Sequence, residues 1–369
     1  MLVAASSLHA QKYTFEEVAS GLTHQDVQTR LRAIQILKDA DYDAAVVPIA
    51  AALEDADDRV QLAAIDAERS LLTSRPVSRR KKVGFVLERR TTTAGGDAVP
   101  EQQLALKVRA IPAEVVSGLT VAMRDKNPSV TFEAIRLFAV LAPVACRAEQ
   151  CSDAGNILVD AINSRQPLLR RAAIGALGQL RYANAVQALS DQFSFYQKGV
   201  DALAALEGLA GIGHPTSTSI FRDLLTSSSA DMRRLAVEGL ARGAVRDVLP
   251  ELQSLGERER SDGVLLALHY AAVKLDAPGS SPQQLVASLQ SASQRPLALK
   301  YLLDLAQSMA PTLVGSLSDA SPEVRRLIAD VIGFSRDATV VPALQAATKD
   351  ADLDVAAAAQ RAIDRIALR

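Results

Sequence analysis

The chain contains no tryptophan, and aromatic residues make up only 4% of its 369 positions. Alanine and leucine must therefore fill the core, which suits helix packed on helix. A surface poor in aromatics is also badly equipped to stack the bases of a single-stranded nucleic acid. Neither sign of charge dominates. Lys and Arg number 41 against 42 Asp and Glu, a net charge of −1 that argues against a globally basic nucleic-acid binder. Histidine is scarce at four residues, His9, His24, His214 and His269, and none belongs to a His-Glu-x-x-His pair. There is no phosphate-binding glycine loop, no Gly-x-Ser-x-Gly elbow and no dinucleotide fingerprint. No apolar run approaches the length of a membrane-spanning helix, so no transmembrane segment is expected.

Cysteine is nearly absent as well. Cys146 and Cys151 are the only two, too few for a structural zinc site without other ligands close by. A lone pair so close together, in a turn between helices, reads as a disulfide formed in an oxidising compartment. Closing so short a loop mainly stiffens the turn and adds on the order of 2 kcal/mol. The first ten residues, Met1 to Ala10, are apolar and small and precede Gln11, like the tail of a secretory signal whose start lies upstream. We therefore assign residues 1–11 to a signal remnant or a frayed N-terminus, and 12–369 to one folded body. The two features together point to a periplasmic or secreted protein, with the cytoplasm as the alternative.

What the sequence does contain is a repeat. A polar turn, a Val-like residue, often an Arg, and a small buried-type residue four positions after the Val recur about every 31 residues, a period that indicates a helical solenoid. The small marker falls at Ala33, Ala64, Ala134, Ala173, Ala205, Ala236, Leu268, Leu299, Ile328 and Ala359, with Leu268 and Leu299 placed mainly by spacing. A first helix precedes each marker helix. Val46-Val47-Pro48-Ile49 and Val340-Val341-Pro342-Ala343 are near-copies of it, and Ala310-Pro311-Thr312-Leu313 is a looser one. Asn127 and Ser321 are placed to cap second helices that open with proline, where the missing N–H costs nothing. In Met232 to Leu240 the apolar residues share one face while Arg233, Arg234 and Glu238 point away.

The segments Leu169-Arg170 to Gly178, Met232-Arg233 to Gly243 and Val324-Arg325 to Gly333 resemble the HEAT-repeat superfamily. They are most similar to the short bacterial HEAT-like repeats first associated with phycobilisome lyases. The resemblance covers nearly the whole chain. It implies an all-α solenoid of about ten stacked helix pairs in a right-handed superhelix. It implies little about activity, because such repeats serve scaffolds, lyases and glycosylases alike. No histidine here is followed by Glu, so the His-Glu dipeptides of the iron-binding HEAT hydroxylases are missing. The lack of tryptophan and the near-neutral charge count against a likeness to the HEAT-like DNA glycosylases, and nothing marks a bilin site.

Two stretches depart from the repeat. From about 75 to 103 the chain is irregular, opening with Arg75-Pro76 and the cluster Arg79, Arg80, Lys81, Lys82, then a short β-like piece from Val83 to Leu87, then Arg89, Arg90 and a Thr/Gly linker. Insertions in solenoids gather on one face, often the binding face. These six cations could meet an acidic partner or simply be solvated. The second stretch concentrates aromatics, Phe193, Phe195 and Tyr196, near the turn between the two helices of one unit. Such residues either anchor an interface or cap the core. Gly208-Leu209-Ala210-Gly211-Ile212-Gly213 reads as a helix C-terminus.

The reading that follows is a non-enzymatic scaffold or adaptor for a protein partner, an acidic one if the insertion takes part, with no catalytic residue, cofactor or metal. Its concave surface is expected to be lined by second helices. Arg32, Arg59, Arg136, Arg170, Arg233, Arg325 and Arg326 are candidate surface contacts, with Asp–Arg pairing between units as the other use for several of them. The alternatives are a lyase or chaperone-like factor for a protein bearing a prosthetic group, and nucleic-acid binding through the basic insertion.

Overall fold

Ten second helices stack side by side in a computed structural model that describes residues 14–73, 99–107, 111–145 and 151–367. Unit one pairs α1 (Phe15–Ser20) with α2 (Val27–Ala40), and unit two pairs α3 (Val46–Ala50) with α4 (Asp58–Leu72). Then comes α5 (Val99–Leu104), outside the pairing scheme. Units three to five are α6 (Ala113–Ala122) with α7 (Pro128–Ala145), α8 (Ser152–Ala161) with α9 (Pro167–Leu180), and α10 (Val186–Tyr196) with α11 (Val200–Ile212). Units six to eight are α12 (Thr218–Leu224) with α13 (Ala230–Arg242), α14 (Leu249–Arg258) with α15 (Asp262–Lys274), and α16 (Gln283–Ala287) with α17 (Arg295–Leu313). Unit nine has α18 (Pro322–Ile332), and unit ten pairs α19 (Val341–Ala347) with α20 (Leu353–Ala367). Each second helix packs on the next, so the chain is an α-solenoid of HEAT-like helix pairs.

Local chemistry fixes the turns. The side chain nine residues before the marker accepts a hydrogen bond from the backbone N–H two residues on. Asp55, Asp125, Ser227, Glu259, Asp319 and Asp350 all do this, at 2.7–3.2 Å. Asn127 and Ser321 then accept from N–H groups of the first helical turn, with Pro128 and Pro322 opening their helices. An arginine of the same turn closes the motif. Arg325 donates to Asp319 O six residues back and to both carboxylate oxygens of Asp350 in the next unit, at 2.8 and 2.9 Å. Arg30 with Asp55 and Arg233 with Glu259 repeat this geometry, whereas Arg295 reaches Glu323 in the first turn of α18 and not the turn acid Asp319.

Two placements differ from the sequence reading. Arg295 donates to Leu289 O, also six residues back, which sets the marker of unit eight at Ala298 and not at Leu299. Both residues are fully buried, so spacing alone could not separate them. Residues 310–313 do not start a first helix. They are the end of α17, with Pro311 inside it and a 3-10 segment over Val314–Ser318 following. A proline that near a helix end removes one hydrogen bond without breaking the helix.

The insertion also ends differently from the irregular loop expected to 103. Its last part forms α5, and Leu104 and Leu106 are buried. Residues 1–13, the basic side chains Arg79, Arg80, Lys81, Lys82, Arg89 and Arg90, and the stretch Val83 to Leu87 lie outside the described residues. The expectation that no segment is long and apolar enough to cross a membrane needs correcting too. α7 meets that test by length and composition, and more than half of it is buried inside the solenoid. It packs between α4 and α9 as a core helix.

Small residues let the second helices approach. A Cβ on Gly211 would lie 2.8 Å from the Gly178 Cα of the neighbouring α9, so these glycines serve packing. Gly213, with φ +65°, is the residue that ends α11. Gly175 is also mid-helix, but a Cβ there meets nothing within 4 Å. Alanine substitution should therefore act with opposite signs. Gly175→Ala should stabilise by about 0.5–1 kcal/mol through helix propensity. Gly211→Ala should destabilise by about 1–3 kcal/mol as α9 and α11 are forced apart. Urea unfolding midpoints check both, and equal shifts in one direction would contradict this packing.

Candidate functional site

Side chains far apart in sequence meet where the second helices converge, which identifies these helices as the inner wall. Two positions per helix point inward, two and six residues after the marker. The first row supplies Glu207, Glu238, Tyr270, Lys300, Asp330 and Arg361, and the second supplies Arg242, Lys274, Asp304 and Arg365. They pair across the wall. Glu238, completely buried, is met by Arg234 at 2.6 Å, Lys300 at 3.0 Å, Arg242 at 3.1 Å and the Tyr301 hydroxyl at 2.8 Å. Asp304 is held by Arg181 and the Tyr270 hydroxyl, with Arg242 and Lys274 each at 3.5 Å. The Tyr270 and Tyr301 rings stack at 4.4 Å. Arg361 and Arg365 share Asp330.

Burial alone would raise the pKa of Glu238 and of Asp304, but the cations around each overcome it and hold both well below the usual carboxylate range. Burial pushes both tyrosines well above their ordinary value. Glu238 and Asp304 are thus held charged and the two tyrosines neutral across the physiological range. Its groups satisfy one another, and it serves to hold the wall together.

The inner wall is covered as well as cross-linked. Residues 99–107 lie against α7, α17 and α18. Arg365, only 5% exposed, donates to Leu104 O and Leu106 O at 2.6 Å and rests over the Phe334 ring. Gln103 donates to Gln179 at 3.2 Å, the Lys107 N–H donates to Leu72 O, and the Lys107 ammonium pairs with Asp41 at 2.6 Å. The second helices line the concave side, and residues 99–107 occupy the part of it formed by α7, α17, α18 and Arg365.

The outer turn of unit five is the opposite case. The aromatic cluster divides there. Phe193 is half-buried against the core. Tyr196 meets Phe195 edge-on at 5.0 Å and lies under the Arg170 guanidinium at 5.5 Å. Phe195 itself is 79% exposed, beside Val200 at 64%, and Leu168 at 61% opens the neighbouring α9 two residues before Arg170. Arg165 and Lys198 are exposed on the same edge. Both Gln197 and Gly199 have positive φ, 55° and 86°. A left-handed glutamine is uncommon and strained.

The candidate arginines mostly serve the fold. Arg170 pairs with Asp201, Arg233 with Glu259, Arg325 with Asp350, Arg59 with Asp57 and Arg136 with Glu133. The Arg233 partner holds the Glu259 carboxyl down at about 2. Arg32 is exposed and Arg326 half-buried. His214 accepts from the Thr216 N–H and ends a turn. Among the described residues no group of three His, Cys, Asp or Glu side chains is placed to hold a metal ion. A shallow groove of about 520 Å3 runs beside Arg30 and Asp55, which already pair with each other. Cys151 is buried at the start of α8, while Cys146 lies outside the described residues.

Buried acids were missed: Glu238, expected to point away from the apolar face, is completely buried and paired, and Glu68 was not singled out. Glu68 on α4 is fully buried, and among the described residues neither of its carboxylate oxygens has a hydrogen-bond partner. Its signal was in the register. Four residues after the marker, the other units carry Leu37, Phe138, Leu177, Leu209, Leu240, Ala272, Leu302, Ile332 and Ile363.

No family model and no curated protein matches the chain. Solved structures do. An engineered protein is similar at 19% identity and a TM-score of 0.44, over 95% of this chain and 98% of that one. The complex of CpcE and CpcF of phycocyanin lyase from Nostoc sp. PCC7120 is similar at 18% identity and a TM-score of 0.43, over 69% of this chain and 96% of that one. Importin beta is similar at 13% identity and a TM-score of 0.36, over 95% of this chain and 50% of that one. At these scores the solenoid assignment rests on the helix pairing above, and no activity passes from these proteins to this chain.

Burial raises the Glu68 pKa well above its ordinary 4.5. The folded state therefore holds this proton more tightly than the unfolded chain does. The stability it contributes is intact below about pH 4.5 and is lost as pH rises toward the raised folded value. Glu68→Leu should stabilise at pH 7 by about 1–3 kcal/mol, since it removes an unsatisfied buried polar group. The gain should be larger at pH 8 than at pH 5. Urea unfolding at the two values checks this, and a gain independent of pH would contradict it.

Proposed function

We propose that the protein is a non-enzymatic scaffold that binds a protein partner on its outer turn edge, at units four and five. The observation that carries this reading is Phe195, a large aromatic ring exposed to solvent in the last turn of α10, in a chain with few aromatics. Exposed aromatics flanked by small apolar residues make interface anchors. Arg165 and Lys198 on the same edge favour an acidic partner. The six cations of the insertion, Arg79, Arg80, Lys81, Lys82, Arg89 and Arg90, would add to that attraction by long-range steering.

The partly occupied concave side supports the outer edge as the place of binding. A scaffold normally spreads many modest contacts over a large inner surface, whereas here part of that surface is engaged in cis. Export to the periplasm or beyond is part of the proposal. It rests on the composition of Met1 to Ala10 and on the Cys146–Cys151 pair forming a disulfide. That no described cysteine is free favours this bond.

Wild-type protein used as bait on an extract of the native host should capture a partner of acidic isoelectric point. Phe195→Ser combined with Lys198→Glu should lose that partner while the melting temperature changes little, because both side chains are exposed. Retention of the same partner by the double variant would remove this edge from consideration. Thiol labelling of protein taken from the native host should find no free cysteine before reduction and two after it. Labelling of both before reduction would exclude the disulfide.

A further inference from the structure

We propose that the concave wall formed by α7, α17, α18 and α20 is a second protein-binding site, and that residues 99–107 occupy it in cis. The site takes a short helix that ends in a Leu-x-Leu segment with free carbonyls. This goes beyond the outer-edge reading and does not depend on it.

The geometry is that of a recognised ligand. Leu104 and Leu106, 3% and 0% exposed, are the apolar anchors. The carbonyls of both, at the C-terminal end of α5, are gripped by one guanidinium, that of the buried Arg365. The side chain of Gln103 reaches Gln179. Leu106 itself forms an isolated antiparallel bridge with Thr73, and Lys107 reaches Asp41. Of the groups that grip the segment, Arg365 belongs to this wall, while Asp41, Leu72 and Gln179 come from units one, two and four beside it, so the segment is read by residues spread over nearly the whole solenoid.

The repeat itself does not require this segment. Residues 99–107 fall between the second helix of unit two and the first helix of unit three and pair with neither as a repeat helix. The ten markers stack without them. A wall position such as Arg365 is therefore not explained by the needs of unit ten alone. Its ring contact with Phe334 and its bond to Asp330 position it, and two of its N–H groups are directed at the segment. A tethered occupant competes at an effective concentration in the millimolar range. A partner segment offering the same leucines and carbonyls must outbid it, which makes the site latent while residues 99–107 are seated.

The test uses the full chain and a fluorescent peptide with the sequence of residues 99–107. Leu104→Asp with Leu106→Asp disables the tethered copy and leaves the wall intact. The peptide should bind this variant saturably, at least tenfold more tightly than it binds wild type, and the same two changes in the peptide should abolish binding. Equal affinity for wild type and variant, or no binding to a variant whose helicity is unchanged, would overturn the proposal. Should the variant fail to fold, Arg365→Ala decides. The amides of 99–107 should then exchange with deuterium at least tenfold faster than in wild type. Unchanged exchange would show that Arg365 does not hold the segment and would overturn the proposal.

Discussion

The arginine in the first turn of a second helix touches two consecutive units, and this double reach spaces the stack. One edge of its guanidinium closes its own turn through the carbonyl six residues back. The other takes a carboxylate of the next turn in a planar, two-bond grip that lysine could not reproduce. Arg30, Arg233 and Arg325 all act this way, and Arg295 keeps the contact to its own turn while pairing with Glu323 in the next helix. Where the residue type changes, so does the contact. Gln61 and Thr131 keep only the bond to their own turn. In unit five the position holds Ala202 and the turn acid is replaced by Tyr196. The incoming Arg170 then bonds Asp201 and stacks on the tyrosine ring instead. The turn beside the exposed Phe195 therefore lies where the ladder lapses.

This ladder also explains how far sequence alone could go. The small marker, the turn and the arginine are all local, lying within one period, so their recurrence was readable without any structure. The slip between Ala298 and Leu299 arose because two buried residues stand side by side there and only the arginine's carbonyl contact separates them. Pro311 misled because proline marks both the first turn of a helix and a tolerated last turn. Glu68 could have been seen, since a comparison of units at that position shows apolar residues in all the others. The inner rows were partly legible. Glu238, Asp330 and Arg361 share a register position, but which charges meet depends on curvature, and no repeat pattern encodes that.

Residues 99–107 were beyond reach for a different reason. Their contacts run to Asp41, Gln179 and Arg365, and the last of these is 259 positions away from Leu106. Read locally, the stretch is a short apolar tail to an irregular insertion. The same is true of Asp304, whose partners come from α9, α13 and α15. The fold follows from near-neighbour chemistry. The features that distinguish this solenoid from a generic one come from long-range closure.

That closure changes how the molecule carries load. A repeat array whose units touch only their neighbours stretches like a spring, each coil yielding a little in turn. Here Lys107 reaches the end of α2 while the backbone just before it is clasped to α20 through Arg365. Tension applied between the first and last units would pass through this clasp before any coil opened. The molecule should resist small extensions stiffly, give way at a threshold when the clasp releases, and only then lengthen softly.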